Sequence, residues 1–76
     1  MKNKPKNLHE FLIGKMYANH VIIAYNKSQD IYQIEYTNNG IIKSAWINPL
    51  TLFSLISQDK PKLYKEMTKL YPEYFI

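Results

Sequence analysis

The side chains of this 76-residue chain that could do acid–base or metal chemistry are two histidines and six scattered carboxylates. His9 falls in the first turn of a predicted helix, and His20 begins a predicted strand. Zinc sites combine His and Cys ligands at short, regular spacings, whereas this chain has no cysteine and no second histidine close to either one. A general base also needs an activated nucleophile within hydrogen-bond reach, and no Ser-His-Asp or nucleophile-elbow pattern is present. The sequence therefore predicts no enzyme, no catalytic residue, no metal site and no cofactor.

The basic residues offer a different chemistry, because all ten are lysines and the net charge is +4. Residues 1–20 carry a net charge of +3, residues 21–58 are neutral, and residues 59–76 carry +1. Lysine neutralises phosphates as a point charge but lacks the bidentate fork with which arginine reads guanine. The favoured interpretation is a solvated terminus and a solvated helix face with a Lys62–Glu66 pair at i,i+4 spacing. The alternative is largely non-specific nucleic-acid binding, by Lys2, Lys4, Lys6, Lys62, Lys65 and Lys69.

The C-terminal segment LYPEYFI keeps three large apolar side chains after a helix-ending proline. Each one left in water forgoes about 1.5–3 kcal/mol of burial free energy. They are therefore expected to dock into the domain, a second copy or a partner protein. Helix 50–57 is also apolar nearly all round, which favours self-association or a protein partner. The predicted partner-binding residues are Tyr74, Phe75, Ile76, Phe53 and Trp46.

The organisation along the chain indicates a mobile basic arm at residues 1–6 and a single domain at residues 7–76. Asn7 and Glu10 form a capping-box-like pattern, which predicts a helix over 8–17 that is weakened by Gly14. β-Branched and alternating stretches predict three strands, at residues 20–26, 31–37 and 41–47.

The turn TNNGI between the last two strands allows two registers. A two-residue Asn39–Gly40 loop places Gln33 opposite Trp46 and Tyr36 opposite Lys43.

A three-residue loop with a bulge at Gly40 instead places Glu35 opposite Lys43 and Tyr32 opposite Trp46. A slip of one residue exchanges the two faces of the strand. We expect the second register, because it pairs opposite charges. It also collects an aromatic core face, consisting of Tyr32, Ile34, Tyr36, Ile42 and Trp46.

Two helices follow. Asn48 caps the first and Pro49 occupies its first position, Asp59 caps the second over residues 60–71, and Pro72 ends it. The predicted fold is α+β, with an N-terminal helix, a three-stranded antiparallel meander and two C-terminal helices packed on one sheet face.

The order of strand, strand, Asn-Asn-Gly, strand, a proline-started helix and a late Tyr-Pro resembles the KTSC family of small domains over residues 21–72. The chain lacks the Ser-x-Gly segment expected after that family's first helix, and its spacing before the proline differs by one residue. The resemblance therefore implies no functional residue.

The function expected from these observations is protein binding. The absence of cysteine and of a long apolar run predicts a cytoplasmic protein without a membrane span. Residues with AT-rich codons (Lys, Asn, Ile, Tyr, Phe and Met) supply 40 of the 76 positions, which suggests a low-GC bacterium or one of its phages. We expect a small non-enzymatic accessory protein of phage or mobile-element type that modulates or inhibits a host protein.

Overall fold

The structure is a computed structural model that describes residues 5–75. Most of the predicted basic arm, with Lys2 and Lys4, lies outside the described residues, as does Ile76. The elements in chain order are α1 (Leu8–Leu12), β1 (Met16–Tyr17), β2 (His20–Asn26), β3 (Ile31–Asn38), β4 (Ile41–Ile47), α2 (Pro49–Asp59), α3 (Pro61–Leu70) and a C-terminal 3₁₀ helix (Pro72–Phe75).

The predicted α+β class is confirmed, but the antiparallel sheet has four strands in the order β1-β2-β3-β4 rather than three. The predicted helix 8–17 ends at Leu12, because Gly14 adopts a φ of +91°. Its N–H donates to the carbonyl of Ile22 at 2.7 Å, and the N–H of Ile22 donates to the carbonyl of Lys15 at 3.0 Å. These bonds draw Met16–Tyr17 into the sheet as a first strand.

The turn between β1 and β2 places Ala18 and Asn19 at φ values of +45° and +63°. Left-handed backbone costs an alanine roughly 1–2 kcal/mol, so the turn needs support from elsewhere in the fold. The carboxylate of Asp59 accepts a hydrogen bond from the N–H of Ala18 at 2.7 Å. The predicted cap of the last helix by Asp59 is therefore wrong. That helix has Lys60 at its N-cap position without a side-chain hydrogen bond.

The β3–β4 hairpin takes the two-residue register, which corrects our expectation. Gln33 lies opposite Trp46, and Tyr36 lies opposite Lys43. Asn39 and Gly40 both have positive φ, at +53° and +77°. This is the conformation that an Asn-Gly turn adopts most readily, and its twist matches that of the strands.

The two faces of the sheet differ in what covers them. Tyr32 and Ile34 point toward the helices, as the alternation in β3 predicted, and both are buried. Trp46 and Ile42 lie on the opposite face, so the predicted aromatic core face is wrong for these two residues. The core lies between the sheet and the helices, and consists of Leu8, Phe11, Leu12, Tyr17, Ile22, Tyr32, Ile34, Leu52, Phe53, Ile56, Met67 and Tyr71.

The register can be tested by cross-linking, because the chain has no cysteine of its own. Thr37 lies directly opposite Ile42, so a Thr37→Cys/Ile42→Cys variant should close a disulfide under mild oxidation, at a Cα separation of about 4.5 Å. The matched control is Thr37→Cys/Ile41→Cys, which joins the positions that face each other in the bulged register. Free-thiol titration should show closure in the first variant only, and closure in the control alone would contradict the assigned register.

Candidate functional site

The sheet face that points away from the helices, called here the outer face, carries three of the exposed large apolar side chains of the described residues. Cross-strand pairing places on it Met16, Val21, Ala24, Asn26, Ile31, Gln33, Glu35, Thr37, Ile42, Ser44 and Trp46. Met16 is 57 % exposed, Ile42 70 % and Trp46 53 %. Exposed apolar groups that share one face are typical of an interaction surface, whereas scattered ones are ordinary.

Charge on the outer face is sparse. Among residues 5–75, Glu35 is the only ionisable residue that strand pairing places on this face. It borders a cleft of about 180 Å³ whose other walls include Met16, Val21 and Ile42. An acidic group at the side of an apolar cleft suits a long basic side chain, because lysine and arginine bury an aliphatic stem and carry their charge at the end.

Of the predicted partner-binding residues that the structure describes, Trp46 is the one that lies on the outer face. Phe53 is 9 % exposed and belongs to the core. Tyr74 and Phe75 are half-buried and pack against that core from the C-terminal 3₁₀ helix. The ring of Phe75 contacts those of Phe53 and Tyr64, with centroid distances of 5.3 Å and 5.6 Å. The C-terminal aromatic residues are therefore used largely within the domain itself.

The described members of the predicted nucleic-acid site do not form a single cluster. Lys62, Lys65 and Lys69 are exposed on α3, and their spacing places them along one side of that helix. Lys6 precedes α1, where its N–H donates to the carboxylate of Glu10 at 3.2 Å.

Sequence reasoning missed the contribution of Met16, Glu35 and Ile42 to a common surface. For Glu35 and Ile42 the signal was present, since the two-residue turn combined with strand alternation places both on the face of Trp46. Met16 carried no such signal, because its strand is formed by contacts with β2 rather than by a local pattern.

A second group of residues surrounds His9, which the sequence had left without a role. The imidazole stacks on the ring of Tyr25, with centroids 3.7 Å apart and an interplanar angle of 4°. Its Nδ1 forms a hydrogen bond of 2.5 Å with the hydroxyl of Tyr32, which is fully buried. The ring of Tyr74 meets it edge-on at 5.3 Å. The Tyr25 hydroxyl donates to Asp30 at 2.6 Å.

The ionisation of this histidine–tyrosine cluster follows from burial and from Asp30. Burial lowers the pKa of His9 below its usual value, and the negative charge of Asp30 opposes that shift. The hydrogen bond to Asp30 is the main cause that raises the pKa of Tyr25 to about 12. Burial raises the pKa of Tyr32, with the charges of Tyr25 and Asp30 acting in the same direction. At neutral pH a neutral imidazole of His9 therefore lies beside the protonated phenols of Tyr25 and Tyr32.

The chemistry available to the cluster is limited. Two open clefts of about 560 Å³ and about 660 Å³ flank it, and both are bordered by His9 and Tyr74. Their described walls contain no serine, threonine or cysteine. The imidazole's Nδ1 is already bonded to Tyr32, which gives that buried hydroxyl the partner it needs. The arrangement supports a structural role that ties α1 to β2, β3 and the C-terminal 3₁₀ helix.

Within residues 5–75 no three histidine, aspartate or glutamate side chains come together as a metal-binding group. None of the helices in this part of the chain is long and apolar enough to cross a membrane.

Comparison with known proteins identifies no relative of this chain. No family model matches the chain, and neither the curated proteins nor the solved structures contain a significant match. No family match supports the resemblance to the KTSC family.

The His9 environment predicts a pH dependence of stability. Because its folded pKa lies below the unfolded value of about 6.5, the unfolded chain binds the extra proton more readily. The stabilising contribution is therefore complete above about pH 6.5 and is lost as the pH falls through the folded pKa. A protonated imidazole has no acceptor nitrogen, so it can no longer accept a hydrogen bond from the Tyr32 hydroxyl.

We expect the melting temperature of the wild type to fall more between pH 7.5 and pH 5 than that of His9→Gln, whose amide can still bond Tyr32. His20→Gln is the matched control, since it removes one imidazole elsewhere. Calorimetric melting at each pH gives the comparison, and identical profiles for wild type and His9→Gln would exclude this role for His9.

Proposed function

We propose that this protein acts by binding another protein through its outer face, as a small non-enzymatic accessory protein that modulates or inhibits its target. The observation that supports this most directly is the joint exposure of Met16, Ile42 and Trp46 on a sheet face that no described helix covers. Burying such a side chain yields about 1.5–3 kcal/mol, so an apolar counterpart is an effective ligand.

The chemistry of the partner follows from Glu35 and the cleft beside it. The complementary partner surface has apolar side chains around one protruding lysine or arginine. Its apolar side chains would pack on Trp46 and Ile42. The basic side chain would enter the 180 Å³ cleft with its charge at Glu35. A charge-assisted contact of this kind fixes orientation as well as adding affinity.

The size of the outer face limits the strength of that contact. Four strands about 4.8 Å apart span about 14 Å, and seven residues at about 3.3 Å each extend about 23 Å. These dimensions are an upper limit, because β1 has only two residues. The product, roughly 320 Å², is less than half of the roughly 800 Å² that each partner contributes to a stable interface. A single copy should therefore bind weakly and reversibly.

The abundance of amino acids with AT-rich codons supports an origin in a low-GC bacterium or its phage. An accessory protein of that kind would meet its target in the host cytoplasm.

The proposal predicts which substitutions abolish capture of the target from host lysate on the immobilised protein. Met16→Lys should remove the captured protein, since it places a charge in the apolar part of the outer face. Leu50→Lys is the matched control: Leu50 is 82 % exposed on α2, so the same change is made off the outer face and should leave capture intact. Glu35→Gln, which keeps the shape and removes the charge, should weaken capture about 10-fold or more, as expected for a charged hydrogen bond.

Equal losses for Met16→Lys and Leu50→Lys would show that the outer face is not the contact surface. Nuclease treatment of the lysate separates a protein contact from one bridged by nucleic acid.

The lysine row on α3 favours a second candidate function, non-specific nucleic-acid binding. Three exposed lysines on one side of a helix could follow a phosphate backbone, and Lys6 or the residues before it could add further charge.

This second function predicts a steep salt dependence. Replacing Lys62, Lys65 and Lys69 together by glutamine should lower the slope of log K against log salt by about 2–3, at roughly 0.7–0.9 for each phosphate contact. Lys27→Gln, on the β2–β3 loop, is the control and should change the slope little. Fluorescence anisotropy with a labelled oligonucleotide measures both, and the absence of binding at low salt would eliminate the function.

A further inference from the structure

Strand β4 forms a long open edge of the sheet. Its only neighbour within residues 5–75 is β3, and all seven of its residues are strand. Proteins usually protect such an edge with proline, a bulge, several charges or a very short strand. β4 has neither proline nor a register shift, and Lys43 is its only charge. The opposite edge has two of these protections, because β1 has only two residues and β2 carries a register shift between Ile22 and Ala24.

The backbone groups that point away from β3 can be assigned from the turn. In a two-residue hairpin the residues that flank the loop, Asn38 and Ile41, form a hydrogen-bonded pair that exchanges two backbone bonds. Along an antiparallel ladder, hydrogen-bonded pairs alternate with pairs that share no hydrogen bond. The N–H and C=O groups of Ile42, Ser44 and Trp46 therefore face outward from the sheet.

We propose that a second copy of this chain pairs with β4 in antiparallel fashion, about a twofold axis at Ser44. Ser44 then lies opposite Ser44 of the partner subunit, and Ile42 lies opposite Trp46 of the partner subunit. Each of the three outward-facing residues exchanges two bonds with its opposite, giving about six backbone hydrogen bonds across the interface. The two four-stranded sheets become one sheet of eight strands.

The sequence of β4 selects this register. Centring the pair on Ser44 uses the whole strand, places Ile41 opposite Ile47 of the partner subunit, and leaves Lys43 opposite Ala45 of the partner subunit. A shift toward the turn would place Lys43 opposite Lys43 of the partner subunit, and like charges in that position are destabilising.

The opposite shift leaves Ile41 unpaired and sets Ser44 against Trp46 of the partner subunit. A shift by one residue would set the outward-facing N–H and C=O groups of one copy against residues of the other copy whose groups are bonded to β3. Such a pair of strands cannot form a regular hydrogen-bond ladder. The strand is therefore self-complementary in one arrangement, which is the requirement for a twofold interface.

Pairing at β4 also changes the outer face. The outer faces of the two copies become continuous across the twofold axis, with Trp46 of one copy beside Ile42 of the partner subunit. The combined surface is at most roughly twice the 320 Å² of one copy, which brings it nearer to the roughly 800 Å² that each side of a stable interface uses. The self-association itself needs no third protein, so it can be tested on the purified chain whether or not a target is found.

Sedimentation equilibrium of the full chain at tens of micromolar should give twice the monomer mass of 9.1 kDa. Ser44→Pro should give the monomer mass with an unchanged circular dichroism spectrum, because the proline replaces an N–H that β3 does not use. The control is Ser54→Lys, which changes an exposed residue of α2 away from β4 and should leave the dimer intact.

A charge exchange tests the register even where Ser44→Pro fails to fold. Ser44→Lys and Ser44→Glu should each dimerise more weakly than wild type, since each sets two like charges against one another. Mixing the two variants should restore dimers that contain one copy of each, with a dissociation constant roughly 10-fold or more below those of the separate variants. A monomeric wild type, or a mixture no tighter than its components, would overturn the proposal. Met16→Lys should leave the dimer intact, so failure of target binding and failure of dimerisation are distinguishable.

Discussion

The two-residue turn at Asn39–Gly40 is the constraint on which the exposed surface of this protein depends. Both residues adopt positive φ, and the short loop fixes every cross-strand pair between β3 and β4. One additional residue in that loop would bring Trp46 and Ile42 to the face of Tyr32. The alternate residues of β4, which are Ile41, Lys43, Ala45 and Ile47, would then lie on the outer face. The local backbone preference of an Asn-Gly pair thus determines which apolar residues face solvent, and with them the chemistry of the outer face.

A second set of contacts holds the helices against the other sheet face. His9 provides a hydrogen-bond partner for the buried hydroxyl of Tyr32 and stacks on Tyr25, while Tyr74 closes over it from the C-terminal 3₁₀ helix. Tyr71, which follows α3, donates to the carbonyl of Pro5 at 2.7 Å and so links the segment before α1 to the end of α3. These bonds give the buried phenols partners, which a small core needs because an unsatisfied buried hydroxyl costs about 1–3 kcal/mol.

The sequence was sufficient for the α+β class, for three of the four strands and for the alternation of β3, because each has a local signal. β1 could not be found in this way, since its turn contains Ala18 rather than glycine and is supported by Asp59 from a distant helix. The hairpin register was misjudged because a Glu35–Lys43 pair was given more weight than the turn. A surface ion pair contributes about 0–1 kcal/mol, whereas the turn geometry acts on the whole ladder. The contact of His9 with Tyr32 joins residues 23 positions apart and left no pattern in the sequence.

The one-sided arrangement of the helices follows from chain length. A domain of this size buries only about 60 % of its unfolded surface, and the buried residues of α1, α2 and α3 all belong to the single core on one sheet face. A strand with one face in solvent usually alternates apolar and polar residues. Polar residues in place of Ile42 and Trp46 would give β4 that pattern and would remove no side chain from the core. Instead both positions are apolar, they flank Ser44 symmetrically, and they lie on the strand whose edge is open. A requirement of folding alone does not account for this combination, whereas a surface that is covered on assembly accounts for all three features.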